Sequence, residues 1–298
     1  RICGDAGPAT RFAHRAQAEL AGKDPLTRAV VEWNLAQADL LGGQLEGVEH
    51  ALRRVMAAYR AAGMPLLAAG VCYDLAQVQH SLGRLGAAIT TCREALELAA
   101  VDPDLSPAAA AHARLAELLR ERDELDEALD HATRGVELSR QHGFAWPLAV
   151  ALTALAWIRQ AQGDPDDARA AMAEATQALP DPGLVDLFNP APAQAARLAL
   201  AQGRVEDAAR FVRDRRLEPE DEPGYPRERE YLVLVRVLLA QQAPEQVLGL
   251  LERLHAQAAA QKRIGSVIEL RTLQALALHA GGDRAGAQAA VAEALTLA

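Results

Sequence analysis

The residues best suited to chemistry in this 298-residue chain are aromatic, amide and charged side chains that recur at intervals of about 40 residues. Aromatic rings offer flat apolar contact, and polar groups beside them fix the orientation of a bound molecule. Such a set suits a sugar, a nucleotide-like ligand or a peptide. We therefore predict a ligand-binding groove lined by Trp33, Gln37, Tyr73, Gln77, His80, Glu117, Arg120, Trp157, Gln160, Arg197, Arg236 and His279.

No catalytic constellation accompanies these side chains. The sequence lacks the GxxxxGK[ST], GxGxxG, HExxH and GxSxG patterns, and its eight histidines include no pair four residues apart. Cys3, Cys72 and Cys92 are odd in number and lack CxxC spacing, which disfavours both a disulfide framework and a zinc site. Cys72 and Cys92 fall on packed helix faces and are predicted to be buried. We expect a protein that is not an enzyme and holds no metal or cofactor in this fragment.

A short turn, followed five residues later by a small residue, divides the chain into repeats that are 39 or 40 residues long. Glycine at the turn supplies the positive φ that ends the first helix of each repeat. Asp123 tolerates that conformation, whereas Gln242 is a poorer substitute. The turns with their small residues are Gly4-Asp5 with Ala9, Gly43-Gln44 with Val48, Gly83-Arg84 with Ala88, Asp123-Glu124 with Ala128, Gly163-Asp164 with Ala168, Gly203-Arg204 with Ala208, Gln242-Ala243 with Val247, and Gly282-Asp283 with Ala287.

Each repeat predicts two antiparallel helices. In the first helix, the positions 12, 8 and 5 before the turn are apolar, as at Leu75, and form one face. A small residue seven positions before the turn, such as Ala76, lets the partner helix approach closely. The predicted groove residues lie about 180° away from this core face. The alternative for Trp33, Tyr73 and Trp157 is that their rings pack against the next repeat.

Helix pairs of this kind cannot bury their apolar faces alone, so the repeats predict an all-α fold, a right-handed α-solenoid of antiparallel helix pairs. We expect a single domain over residues 1–298. The proline-rich segments 180–192 and 216–226 are expected to be loops within it. We take the chain as a fragment of a longer polypeptide, and the apolar faces at the ends of such an array would allow a homo-oligomer.

Composition excludes several functional classes. Apolar residues make up 50% of the chain and charged residues 24%, as in ordinary globular proteins. A net charge of −9 opposes a phosphate backbone, so no direct contact with nucleic acid is expected. No apolar run approaches the ~18 residues that a membrane span requires, and no secretion signal opens the sequence. We therefore expect no membrane contact and a cytoplasmic location.

The repeat resembles the tetratricopeptide repeat (TPR). Leu75-Ala76, the turn at Gly83-Arg84 and the small residue Ala88 stand where that family has its Leu-Gly pair, its inter-helix turn and its small residue. The period exceeds the usual ~34 residues. That longer period and segments such as 276–283 are similar to the superhelical sensor region of large ATP-dependent LuxR-type transcriptional regulators, the MalT-like group.

This resemblance implies a nucleotide-binding switch and a DNA-binding helix-turn-helix outside the present sequence. It also implies that the predicted groove residues line the concave side of a superhelix, which binds an effector there. The best-known member binds an oligosaccharide inducer and then assembles into an active oligomer. We consider two functions. One is a sensor of a small-molecule effector, with an oligosaccharide as one candidate, that relays its signal to those modules. The other is a general protein-interaction scaffold that holds a peptide or a partner helix in the same groove.

Overall fold

The computed structural model describes residues 24–102, 104, 106–179 and 190–298. Most of these residues lie in fourteen α-helices, and none of them lies in a β-strand, which confirms the all-α prediction. A single turn of 3-10 helix spans Tyr225–Arg227. The helices are α1 (Pro25–Leu41), α2 (Leu45–Ala61), α3 (Pro65–Ser81), α4 (Leu85–Ala99), α5 (Ser106–Glu121), α6 (Leu125–His142), α7 (Ala145–Ala161), α8 (Pro165–Gln177), α9 (Ala191–Ala201), α10 (Val205–Arg215), α11 (Glu228–Ala240), α12 (Glu245–Ala260), α13 (Ile264–Ala280) and α14 (Arg284–Leu297).

The described residues form two compact units, one of residues 24–80 and 84–179 and one of residues 81–83 and 190–298. In the first unit α1 packs on α2, α5 on α6 and α7 on α8, and α5 also contacts α7. In the second unit α9 packs on α10, α11 on α12 and α13 on α14, while α11 contacts both α9 and α13. Within each unit, therefore, helix pairs stack so that consecutive first helices are neighbours.

The turn inside each repeat has the backbone conformation that the sequence predicts. A residue with positive φ stands at each of the seven predicted turns within the described residues, at Gly43, Gly83, Asp123, Gly163, Gly203, Gln242 and Gly282. Gln242, with φ of 60°, adopts the geometry of the glycines, and α11 and α12 keep their register around it. A left-handed conformation costs a non-glycine residue about 1–2 kcal/mol. The eighth predicted turn, Gly4-Asp5, lies outside the described residues.

A second series of positive-φ residues joins the second helix of one repeat to the first helix of the next. Gly63, Gly143 and Lys262 have φ of 70°, 73° and 53°. The sequence pattern did not single out these positions. They follow the same rule, because a residue in the left-handed region ends a helix and lets the chain reverse.

The small residues predicted to set the packing distance are buried. Those seven positions before the turn are no more than 5% exposed, and those five positions after it no more than 8%. Side chains of this size let neighbouring helices approach closely and still remove apolar surface from water. The two sets are Ala36, Ala76, Ala116, Ala156, Ala196, Val235 and Ala275, and Val48, Ala88, Ala128, Ala168, Ala208, Val247 and Ala287.

Cys72 and Cys92 are buried in the first unit, as predicted, and both are free thiols. Burial raises the pKa of each thiol to about 12, so neither forms a reactive thiolate near neutral pH. They act as small apolar side chains. Cys3 lies outside the described residues.

The two proline-rich segments differ from the expectation in one respect. Residues 180–189 lie outside the described chain, but Pro192 lies in the first turn of α9 rather than in a loop. A proline is accepted there because the first turn has no intrahelical partner for its missing N–H. The second segment runs as a loop from Arg216 to Gly224 and ends in the 3-10 turn. Asp221 in this loop accepts a hydrogen bond from the Tyr231 hydroxyl of α11 at 2.5 Å.

Candidate functional site

In the first unit, the predicted groove residues of α1 meet an aspartate of the next repeat. Trp33 donates its indole N–H to Oδ2 of Asp74 at 2.7 Å, and the amide of Gln37 donates to the same oxygen at 3.1 Å. The indole lies edge-on to Tyr59 and against the backbone of Gly70, where a Cβ atom would come within 3.4 Å of the ring. Trp33 thus packs against the next repeat, whereas Gln37 is exposed.

Tyr73 of α3 is held by a buried arginine. Arg114 of α5 donates from Nη2 to the Tyr73 hydroxyl at 2.5 Å and from Nη1 to Oε2 of Glu117 at 2.6 Å. The rings of Tyr73 and Trp146 pack edge to face, with their centroids 4.6 Å apart. Arg114 is only 1% exposed, so removal of Glu117 would leave a buried charge without the carboxylate that stabilises it. Tyr73 also packs against later repeats rather than lining open space.

A common register links the first helices of this unit. Three hydrogen-bonded pairs are each separated by 41 residues, whereas the repeat is 40 residues long. Each pair therefore joins a position in one repeat to the following position in the next repeat. In the third pair, the Nε2 atom of His80 lies 2.8 Å from Oε2 of Glu121. We call the set the first-helix ladder, and its pairs are Trp33–Asp74, Tyr73–Arg114 and His80–Glu121.

The other predicted groove residues of the first unit lie close to this ladder. Gln77 was predicted to line a groove but is only 6% exposed, because α3 is bonded to a first helix on each side. Arg120 lies 3.8 Å from the carboxylate of Glu121, and Trp157 and Gln160 are half-buried on α7. Among the predicted groove residues in this unit, Gln37 alone is exposed.

In the second unit, two predicted arginines converge on one glutamate. Nη2 of Arg236 donates to Oε1 of Glu269 at 2.6 Å, and Arg197 lies 4.0 Å from the same oxygen. Arg229, which the pattern did not single out, donates to Oε2 at 2.6 Å. We call these four residues the arginine cluster. Burial alone would raise the pKa of Glu269, but the guanidiniums of Arg229, Arg236 and Arg197 hold it well below its usual range.

The arginine cluster lines a shallow depression between α9, α11 and α13. Its other lining residues are Ala193, Gln194, Leu232 and Val233. The depression encloses only about 10 Å³, enough space for about one water molecule. It is therefore a shallow feature of the surface rather than a closed ligand pocket. His279 of α13 is exposed and is not among its lining residues.

Two histidines that no sequence pattern connects lie side by side in the first unit. Nδ1 of His112 on α5 lies 2.7 Å from Nδ1 of His131 on α6. Burial, followed by the neighbouring charges of His131 and Arg134, lowers the pKa of His112 to about 4. Burial also lowers the pKa of His131. Glu127 lies 3.7 Å from the other ring nitrogen of His131. The described part of the chain contains no group of three or more His, Cys, Asp or Glu residues that could hold a metal ion.

The sequence pattern did not predict the residues that bind the predicted groove residues. When the repeats are aligned, the partner in each pair of the first-helix ladder stands one position after the residue it binds; these partners are Asp74, Arg114 and Glu121. The partners in the arginine cluster, Arg229 and Glu269, each lie 13 positions before the turn of their repeat, outside the positions used for the prediction. A search for complementary polar residues 40 or 41 positions apart would have found all of them.

No helix of the described chain is both long and apolar enough to cross a bilayer.

The family model described as the MalT-like TPR region matches residues 2–298. The chain belongs to this family. Several solved structures resemble this MalT-like TPR region. A Rap protein complexed with Competence and Sporulation Factor superposes with a TM-score of 0.63 at 13% identity, covering 98% of this chain and 81% of that one. The apo form of the quorum sensor NprR from B. thuringiensis superposes with a TM-score of 0.61 at 14% identity, covering 98% of this chain and 82% of that one.

BtubC from P. vanneervenii superposes with a TM-score of 0.51 at 17% identity, covering 70% of this chain and 86% of that one. At such low identities these likenesses show the fold alone. No curated protein gives a significant match to the MalT-like TPR region described above.

Proposed function

We propose that this MalT-like TPR region is the non-catalytic sensor of a larger LuxR-type transcriptional regulator that acts in the cytoplasm. The observation that carries the proposal is the family match over residues 2–298. The region binds an effector on the faces of its first helices and needs no cofactor of its own. The binding event passes to ATPase and DNA-binding modules of the parent protein.

The contacts between first helices support such a relay. Because Asp74 binds both Trp33 and Gln37, a ligand that engages the exposed amide of Gln37 competes with a bond between repeats. In the second unit, a ligand at Arg197 or Arg236 lies beside the carboxylate that joins α11 to α13. A ligand shifts such a system only when it binds the resting and active arrangements with different affinities.

A thermal-shift panel of oligosaccharides, small metabolites and peptides tests this function. A ligand present at 100 times its dissociation constant stabilises the folded chain by about 2.7 kcal/mol, which is a shift of several degrees in Tm. We expect at least one small molecule to raise Tm and to change the radius of gyration in solution scattering. The complete gene should encode a phosphate-binding loop upstream and a helix-turn-helix downstream. A shift with peptides and none with any small molecule would refute the sensor of a small-molecule effector.

A protein-interaction scaffold is the second candidate function. It is favoured by the likeness to a Rap protein complexed with Competence and Sporulation Factor, since the two chains share a fold over 98% of this one. In this case the first helices would hold a peptide or a partner helix. The peptide arm of the same panel separates the two functions, and so does a gene that encodes neither flanking module.

A further inference from the structure

Tyr73 of α3 and Trp146 of α7 touch each other although a third first helix lies between theirs. Helix α5 packs against α7, and it is joined to α3 by the hydrogen bond from Arg114 to Tyr73. The rings of Tyr73 and Trp146 nevertheless meet edge to face, with their centroids 4.6 Å apart. This contact spans two repeat steps, whereas each pair of the first-helix ladder joins adjacent first helices.

The two aromatic residues lie on the same face of their helices. Tyr73 stands ten positions before its turn, and the corresponding residue of α7 is Thr153. Trp146 precedes Thr153 by seven residues, which is two helical turns, so it shares this face. On the helix between them the corresponding residue is Ala113, which is fully buried. A small side chain at this position leaves room for the two rings.

A contact of this kind depends on the curvature of the first unit. The axes of packed helices lie about 8–10 Å apart, so α3 and α7 would be about 16–20 Å apart in a flat row. A bend of the stack toward the face that carries the two rings brings α3 and α7 closer on that side. Straightening of the stack moves them apart there and separates the rings.

Tyr73 has a fixed position because a buried charge holds it. Arg114 donates to its hydroxyl at 2.5 Å, and the guanidinium carbon lies 4.6 Å from the centroid of the Tyr73 ring. Arg114 is held in turn by Glu117 of the same helix at 2.6 Å. The contact with Trp146 therefore ties α7 to an anchored group on α3 and α5.

We infer that Tyr73 and Trp146 form an aromatic clasp, which holds the first unit in its curved arrangement and opens when the unit straightens. An aromatic pair favours the arrangement that contains it by about two- to tenfold. A ligand that prefers the straighter arrangement must overcome this factor, so the clasp sets part of the equilibrium that the ligand shifts. This regulatory role rests on the proposed sensor function, whereas the structural role of the clasp does not.

The test measures a distance across the first unit in the full chain. Nitroxide labels at Thr90→Cys on α4 and Ala173→Cys on α8, two exposed positions, report this distance by pulsed electron paramagnetic resonance. Cys3→Ser removes one native thiol. Burial raises the pKa of Cys72 and Cys92 to about 12, so these thiols do not take up the label.

Trp146→Leu is the decisive variant, because it removes the ring pair and leaves the bond between Arg114 and Tyr73 in place. The labelled second helices lie on the outer side of a bend toward the first helices. We therefore expect a shorter and broader distribution of label distances in this variant. It should also change the affinity for the panel compound that raises Tm most by about two- to tenfold.

Phe144→Leu is the matched control. Phe144 stacks on His142 with ring centroids 5.7 Å apart, and this contact stays within the connection between α6 and α7. The variant therefore loses an aromatic contact but not the clasp. It should keep the label distances and the ligand affinity of the wild type.

Two tyrosine variants show whether the rings act as a pair. Tyr73→Phe keeps the ring and should keep the label distances, although it loses the hydroxyl that accepts from Arg114. Tyr73→Leu should shorten the distances as Trp146→Leu does. The double variant should shorten them no further than either single change, because both remove the same contact. Tyr73→Leu also carries the test alone if circular dichroism shows that Trp146→Leu does not fold.

The inference is overturned if the folded clasp variants keep the label distances of the wild type, or if Phe144→Leu changes the distances equally. In that case a small molecule that raises Tm still supports the sensor function. If the clasp variants shorten the distances but no small molecule raises Tm or changes them, the clasp is confirmed as a structural element and the proposed sensor function fails.

Discussion

The indole N–H of Trp33 donates to Asp74, which stands 41 residues later in a chain whose repeat is 40 residues long. The same offset recurs between Tyr73 and Arg114, so it belongs to the stacking of the repeats rather than to one contact. The first helices α1, α3 and α5 are therefore joined in succession by polar bonds as well as by small apolar residues. Polar bonds of this kind fix the register of the stack, because a shift by one residue would break every one of them.

Removal of the acceptor in the first pair should destabilise the first unit. Asp74→Ala leaves the indole N–H of Trp33 and the amide of Gln37 without their shared oxygen. We expect a loss of about 1–3 kcal/mol in the free energy of unfolding, measured in urea. Asp130→Ala, at an exposed site on α6, is the control and should change the free energy by less than about 0.5 kcal/mol. Equal losses in both variants would show that the bond to Trp33 contributes nothing.

The turn glycines should resist substitution for a conformational reason. Gly163 has φ of 86°, and no atom lies within 4 Å of the position that a Cβ would take, so Gly163→Ala introduces backbone strain without a clash. We expect urea unfolding to show a loss of about 1–2 kcal/mol. Gly47→Ala, inside α2 and equally open, should instead stabilise by about 0.5–1 kcal/mol. A stable Gly163→Ala variant would mean that this turn does not need the left-handed conformation.

The histidine pair should make the first unit sensitive to mild acid. Burial lowers the pKa of His112 from 6.5 to about 4, so the unfolded chain takes up a proton before the folded chain does. The free energy of unfolding should then decrease as the pH falls from 6.5 to 4, by at most about 1.4 kcal/mol per pH unit for this residue. In urea unfolding, the free energy of unfolding of His112→Gln should depend less on pH between 6.5 and 4 than that of the wild type. The control His50→Gln, at an exposed position, should show the same pH dependence as the wild type. If His112→Gln keeps the pH dependence of the wild type, other titratable groups cause that dependence.

Glu269 should make the second unit sensitive to stronger acid. The arginines around it hold its pKa below the ordinary value of 4.5, so the folded chain keeps this carboxylate ionised where the unfolded chain takes up a proton. Its contribution to stability is complete above pH 4.5 and is lost as the pH falls below that value. Urea unfolding between pH 5 and pH 3 should show a smaller loss in Glu269→Gln than in the wild type. The control Glu245→Gln, at an exposed site on α12, should lose as much stability between pH 5 and pH 3 as the wild type. An equal loss of stability in all three proteins would contradict the assignment to Glu269.

The helical register could be predicted from the sequence because it depends on local features. Turn residues such as Gly203, and small residues such as Ala208, recur at fixed spacing and need no knowledge of distant contacts. Even Gln242 occupies the predicted left-handed conformation, with φ of 60°.

The candidate site could be predicted only in part. Arg197 and Arg236 were visible in the pattern, but Arg229 and Glu269 were not, because their role depends on the distance between two first helices. Trp33 lies against the next repeat rather than in open space for a similar reason: the offset of one position between repeats is a property of stacking, and no single repeat encodes it.

The most direct test of whether ligands bind on the first helices is amide hydrogen exchange. It compares the free chain with the chain bound to the compound of the thermal-shift panel that gives the largest increase in Tm. We expect slower exchange in peptides from first helices and little change in peptides from second helices. Protection confined to the second helices would contradict binding on the first helices.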